Sequence, residues 1–163
     1  MTTSPTDPIP TPPLIGALLR MPWEVVRERM LSGLHARGYT DLVPAHLTVM
    51  QYPGPEGLRP SELAARTRMS KQAVNYLLGQ MEQRGYLTRE DAPDDQRSKR
   101  IKLTTRGRAV IRAIRKIVLE VETEWERRLG PGPYQQLREL LTHLGAIADP
   151  DPPRSAEIGR ARC

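Results

Sequence analysis

Cysteine is almost absent from this chain of 163 residues, since its single copy is Cys163 at the end of the sequence. One cysteine excludes an internal disulfide framework, a zinc site built on several cysteines and a local pair for redox switching. We therefore expect the protein to work in a reducing, cytoplasmic interior.

Long apolar runs are also lacking. Nowhere do about 18 uncharged apolar residues follow one another, and the N-terminus has no basic stretch ahead of a long apolar segment. A membrane-spanning helix and a secretion signal each require one of these features. We expect neither a membrane protein nor one exported by that route.

Residues that commonly carry catalysis are scarce as well. The chain has three histidines, and it contains neither a His-Glu-x-x-His motif nor a glycine-rich phosphate loop. Metal sites and covalent catalysis need such groups in a close arrangement. We therefore predict that the protein is not an enzyme and that it binds no metal and no cofactor.

The two ends of the chain differ from its middle in composition. Residues 1–13 hold five prolines among Thr and Ser, and residues 149–163 are poor in large apolar side chains. Such segments cannot bury enough apolar surface to fold. We predict a disordered arm and a disordered tail on either side of a single domain, residues 14–148, whose length suits one domain.

Positive charge is concentrated in one central segment. The chain has a formal net charge of +6, and residues 59–108 hold that whole excess, with 12 Lys or Arg against 6 Asp or Glu. A solvated charged face would mix both signs. A localised excess favours a polyanionic partner such as nucleic acid.

The spacing of apolar residues predicts a mostly helical chain with one small β-hairpin. Helices are expected from residue 14 to near Gly38, from Pro44 to Met50, from Pro60, from Ser70 to Gly85, after Thr104 and after Pro133. Pro22 either starts a second helix or kinks the first. Short strands are predicted at residues 86–89 and 100–103, joined by a turn at residues 92–95. The last two helices offer apolar surface that a second subunit could bury.

The order of the central elements is that of a winged helix-turn-helix, which we place at residues 44–104 and call the winged-helix lobe. In such a fold one short helix braces the next, the N-terminal part of that second helix enters the DNA major groove, and the hairpin forms a wing. The outward face of the helix after Ser70 carries Lys71, Gln72, Asn75 and Tyr76. Amide and cationic side chains can pair with base edges. Gly79 on this helix would let another backbone approach closely.

Four motifs lie in this part of the chain: Met69-Ser70-Lys71-Gln72-Ala73-Val74, Met81-Glu82-Gln83-Arg84-Gly85-Tyr86, Asp94-Asp95-Gln96-Arg97-Ser98-Lys99-Arg100 and Leu103-Thr104-Thr105-Arg106-Gly107. Over about residues 44–114 they resemble the MarR family of bacterial winged helix-turn-helix transcriptional regulators. The resemblance implies long dimerisation helices at residues 14–38 and 105–148. It also implies a homodimer on double-stranded DNA at a pseudo-palindromic operator. Repression would be released by a small anionic or phenolic effector, or by oxidation.

The resemblance further implies roles for single residues. Arg97 would enter the minor groove from the tip of the wing, oriented by Asp95, with Lys99 and Arg100 behind it. The residues facing the major groove would be Ser70, Lys71, Gln72, Asn75 and Tyr76. An effector pocket could be lined by Trp23, Met30, His46, Met50 and Tyr52, although each of these also has an explanation as a structural residue.

Two other functions stay open at this point. The same surface would serve a DNA-packaging protein without sequence preference or effector, and a winged helix can be reused as a protein-interaction module. Oxidation sensing through Cys163 is not expected. Family members that sense peroxide usually carry their reactive cysteine near the N-terminus.

Overall fold

The computed structural model describes residues 12–53, 57–92 and 95–148, which form six helices and a two-stranded antiparallel sheet. The elements are α1 (Ile15–His35), α2 (Pro44–Met50), α3 (Pro60–Thr67), α4 (Lys71–Gln83), β1 (Leu87–Ala92), β2 (Asp95–Leu103), α5 (Thr105–Leu129) and α6 (Pro131–Ala148). This confirms the mostly helical fold with a hairpin wing. Nearly all of the predicted arm and the whole predicted tail lie outside the described residues, and the domain boundaries stay a prediction.

The first helix shows whether Pro22 starts a second helix. α1 is one helix that continues through Pro22, so this proline does not start a separate helix. The helix ends three residues before Gly38, whose φ of +87° lies in the left-handed region that glycine tolerates. The chain then enters the connection to α2, residues 36–43.

Two predicted helix starts are confirmed by their caps. The Ser70 hydroxyl accepts a hydrogen bond from the Ala73 N–H at 3.1 Å, and the Thr104 hydroxyl accepts one from the Gly107 N–H at 3.0 Å. Each cap satisfies a backbone donor that has no partner inside its helix and contributes about 1 kcal/mol. These two local bonds determine where α4 and α5 begin.

The wing is longer than the sequence predicted, and its first strand begins one residue later, after Tyr86. Leu87 pairs with Leu103 at one end of the hairpin and Ala92 with Asp95 at the other, so two residues assigned to a turn belong to the strands. Two of the additional pairs join opposite charges, Glu90 with Arg100 and Asp91 with Lys99, and the side chains of Asp91 and Lys99 form an ion pair. Charge pairs between the strands stabilise this end of the hairpin. A prediction based on alternating apolar residues does not detect it.

The last helix also begins earlier than predicted, at Pro131 and not after Pro133. Backbone N–H groups in the first turn of a helix have no partner within it, so proline is tolerated there. The Pro-Gly-Pro sequence that suggested a break therefore forms the first turn of α6.

The core of the winged-helix lobe surrounds the inner face of α4. Its predicted apolar stripe, Val74, Leu77, Leu78 and Met81, is buried. The same cluster contains buried apolar residues of α2, α3, β2 and α5. Because packing fixes the inner face of α4, the opposite face is held outward.

Many of the large apolar side chains on the surface of the single chain lie at the beginning of α1 and along α6. They are Leu14, Ile15, Leu18, Leu19, Met21, Trp23, Val25, Leu137, Leu140, Leu141, Leu144 and Ile147. A second subunit could bury exposed apolar side chains of this kind, and dimerisation through these helices stays a prediction. Across the described ranges, the helices are too short or too polar to span a membrane.

Candidate nucleic-acid interface

The outer face of α4 presents the side chains that the sequence assigned to the major groove. Lys71, Gln72, Asn75 and Tyr76 are all exposed on the first two turns, and Tyr76 is 67% exposed. Ser70 is exposed as well, but its hydroxyl caps the helix. The structure therefore gathers one cation, two amides and one phenol at the end of the helix that would meet DNA.

The wing brings basic residues of β2 to the same side. Lys99 is exposed and forms an ion pair with Asp91 on the neighbouring strand, while Arg100 is half-buried. The backbone at Asp95 and Arg97 belongs to β2, but their side chains lie outside the described part of the chain. The proposed orientation of Arg97 by Asp95 accordingly stays a prediction.

A cleft connects α4 with the wing and with the start of α3. Its volume is about 360 Å³, and it is lined by Arg59, Pro60, Ser61, Lys71, Asn75 and Lys99. Three of these residues are cations and none is an acid. Cationic and hydroxyl side chains are groups that bind phosphate, and of the three cations Lys99 also pairs with Asp91.

Sequence reasoning missed Arg59 and Ser61 as members of this surface. Arg59 precedes α3, and its N–H donates to Glu62 Oε2 at 3.1 Å at the start of that helix. The available signal was Pro60, which marks a first helical position and so places its neighbours at a helix N-terminus. That signal does not reveal that α3 starts beside α4 and β2.

Gly79 lies in the middle of α4, and a Cβ placed there would meet no heavy atom within 4 Å among the described residues. Within the described ranges no neighbouring segment therefore makes the close backbone approach that the sequence suggested. We expect Gly79→Ala to raise the free energy of unfolding by about 0.5–1 kcal/mol, because alanine loses less conformational entropy in a helix. Chemical denaturation measures this change, and a destabilised variant would contradict it.

The residues predicted for an effector pocket are distributed between the core and the surface. Met30 and Met50 are buried in the core cluster, and Tyr52 packs against it. Trp23 is 54% exposed and does not belong to that cluster. The effector pocket stays a prediction.

His46, the fifth of these residues, joins α2 to α4. It is buried, its Nδ1 accepts from the Val43 N–H at 3.2 Å, and its Nε2 lies 2.8 Å from Gln80 Oε1. Arg84 Nη1 also lies 3.2 Å from Nε2, so residues of α2, α4 and the end of α4 surround the ring. Its contacts are those of a structural histidine.

The lobe that carries this interface matches the family model of the MarR family over residues 44–98. By this match the lobe is similar to proteins of the MarR family over 55 of the chain's 163 residues. The matched range includes α2, α3, α4, β1 and the beginning of β2, so it covers most of the interface described above.

Known proteins similar to this chain include the HTH-type transcriptional repressor Rv2887 of Mycobacterium tuberculosis. That relative is 26% identical over 132 residues, which cover 81% of this chain and 94% of the relative. The crystal structure of Rv2887 with salicylic acid is similar with a TM-score of 0.64 at 25% identity, covering 84% of this chain and all of the other.

Two further structures share the fold. Wild-type MarR of E. coli in its apo form has a TM-score of 0.68 at 21% identity, covering 82% of this chain and 98% of that one. A MepR point mutant of S. aureus bound to an oligodeoxyribonucleotide has a TM-score of 0.58 at 22% identity, covering 80% and 95%.

Proposed function

We propose that this chain is a homodimeric, sequence-specific DNA-binding regulator that represses transcription and is released by a small anionic or phenolic effector. The observation that carries the proposal is one face of the lobe, on which the start of α4, strand β2 and the three-cation cleft lie together. Amides and cations on α4 match base edges, and the cleft matches the phosphate backbone. The protein would act in the cytoplasm and catalyse no reaction.

Three parts of this proposal, which are repression, DNA binding and effector binding, have support from a relative. Rv2887 is described as a repressor, the MepR mutant was crystallised with an oligodeoxyribonucleotide, and Rv2887 was crystallised with salicylic acid. Salicylate is therefore the first effector to test for release of DNA from this chain.

Dimerisation would join the exposed apolar faces of α1 and α6 from two chains. Ile147 is 79% and Leu140 is 59% exposed in the single chain, which is costly for apolar side chains in water. A two-fold dimer presents two copies of α4, and these fit half-sites about one DNA turn apart, roughly 10 base pairs. This arrangement corresponds to a pseudo-palindromic operator.

A duplex-binding titration tests the proposal. The full chain is titrated at two salt concentrations with the intergenic DNA next to its own gene and with a scrambled duplex of equal length. A specific regulator should bind the first at least about 10³-fold more tightly. Equal affinity for both duplexes would favour the packaging protein, and no binding at low salt would favour the protein-interaction module.

Arg59→Ala tests the cleft as a phosphate site. Removing one phosphate contact should weaken binding to the operator and to unrelated DNA by the same factor. It should also reduce the slope of log K against log salt by about 0.9. Arg128→Ala is the matched control, since Arg128 is exposed near the end of α5 and pairs with Glu124. A loss confined to the operator would mean that Arg59 contacts bases.

A further inference from the structure

One buried tyrosine lies where the winged-helix lobe joins the long helices. The side chain of Tyr86 is fully buried, between the end of α4 and the start of β1. Its hydroxyl donates to Asp41 Oδ1 at 2.6 Å and accepts from Arg106 Nη2 at 3.1 Å. Both hydrogen-bonding roles of the hydroxyl are thus directed to charged groups.

The two partners of Tyr86 lie on the two covalent connections between the lobe and the long helices. Asp41 belongs to residues 36–43, which join α1 to α2, and Arg106 is in the first turn of α5, directly after β2. The long helices α1 and α5 are joined by an ion pair, in which Arg29 Nη2 lies 3.1 Å from Glu124 Oε2. A single hydroxyl of the lobe therefore links both connections.

Further contacts hold the same three groups in place. Arg84 at the end of α4 donates to the Asp41 carbonyl oxygen at 3.1 Å. The guanidinium of Arg106 also lies 4.7 Å from the centre of the Tyr86 ring, within the range of a cation–π contact. The α4 end, the α1–α2 connection and the start of α5 thus form one polar junction, which we call the Tyr86 junction: Asp41, Arg84, Tyr86 and Arg106.

The protonation states at the junction agree with this geometry. Burial disfavours the charged form of Asp41, but the hydrogen bond from Tyr86 and the charges of Arg106 and Arg84 outweigh it, so the pKa of Asp41 lies below its ordinary value. Burial and the hydrogen bond to Asp41 raise the pKa of Tyr86. Around neutral pH the tyrosine stays a donor and the aspartate an acceptor.

We propose that the Tyr86 junction fixes the orientation of the winged-helix lobe relative to α5 and thereby sets the half-site spacing that the dimer accepts. Asp41, Tyr86 and Arg106 are positioning residues, since they act on DNA through the placement of α4. The effect on spacing rests on the proposed function, but the effect on orientation does not.

A distance measurement without DNA tests the orientation. In a Cys163→Ser background, spin labels are attached at Ala65→Cys on α3 and Lys116→Cys on α5, which are both exposed. Labelled chains are diluted with unlabelled chains so that distances within one chain dominate. Tyr86→Phe, which removes only the hydroxyl, should broaden or shift the distance distribution. Tyr39→Phe, on the neighbouring ring 6.4 Å away, should leave it unchanged.

The consequence for binding is tested with variants of the intergenic duplex in which the distance between the two half-sites is changed. Tyr86→Phe should weaken binding at the preferred spacing by about tenfold, because fewer molecules have the competent orientation. Inserting or deleting one base pair between the half-sites should reduce the affinity of Tyr86→Phe by a smaller factor than it reduces the affinity of the wild type. Asp41→Asn keeps an acceptor and should lose less affinity than Asp41→Ala.

The outcomes separate the two levels of the proposal. An unchanged distance distribution in Tyr86→Phe would overturn the junction as an orienting device, whatever the DNA result. The proposal would also be overturned if Tyr86→Phe lowered the melting temperature but changed neither the spin-label distances nor the dependence of affinity on half-site spacing. The junction would then only stabilise the fold. If the wild type binds no duplex, the proposed function fails while the distance measurement still decides the orientation.

Discussion

Replacing Gly107 with alanine should lower the free energy of unfolding by about 3 kcal/mol, because the added methyl group has no room. A Cβ at this position would lie 2.0 Å from the carbonyl oxygen of Tyr86 and 3.2 Å from Leu103 Cδ2. That carbonyl cannot move away freely, since it accepts the Thr104 N–H at 3.1 Å. The first turn of α5 would have to separate from the end of α4.

Thermal unfolding measures the effect of Gly107→Ala against that of Gly79→Ala. A loss of about 3 kcal/mol corresponds to a melting temperature lower by roughly 10 °C for a domain of this size. Gly79→Ala adds the same methyl group to a helix with free space around it, so its melting temperature should not fall. Equal melting temperatures for Gly107→Ala and the wild type would show that α5 does not pack this closely on Tyr86.

Arg97→Ala should weaken operator binding by about 10- to 100-fold and leave the melting temperature within about 1 °C of the wild type. The backbone places residue 97 in β2, in the same strand as the exposed Lys99. A guanidinium that enters a narrow minor groove is attracted by the concentrated negative potential there. The stability should persist because the sequence predicts a wing-tip position for Arg97, and substitutions at such surface positions seldom change it.

Two controls separate the charge of Arg97 from its shape. Arg97→Lys keeps the charge, so a full recovery of affinity would indicate a simple phosphate contact, whereas a partial recovery agrees with groove insertion. Arg128→Ala removes an arginine far along α5 and should bind normally. If Arg97→Ala binds the operator as tightly as the wild type, Arg97 has no part in recognition.

Local signals in the sequence predicted the secondary structure well. The Ser70 and Thr104 caps each join atoms three residues apart, and the buried stripe of α4 follows directly from the helical period. Predictions were wrong where a local rule was incomplete. The wing is longer because charge pairs continue its ladder, and α6 starts at Pro131 because the first helical turn tolerates proline.

The candidate site was only partly accessible from the sequence. The exposed face of α4 could be predicted, since one buried stripe determines which residues face outward. Arg59 and Ser61 could not be placed, because the cleft forms only where the start of α3 meets α4 and β2. His46 illustrates the same limit, since its bond to Gln80 crosses 34 residues of sequence.

The near absence of cysteine, the localised charge, the caps and the apolar periods by themselves determined a helical chain with a basic winged-helix lobe. These features depend on composition or on interactions between residues a few positions apart, so the sequence contains them directly. Only the tertiary structure decided that Tyr86 meets Asp41, 45 residues away, and Arg106, 20 residues away. Such contacts depend on how whole helices pack, which no short stretch of sequence specifies.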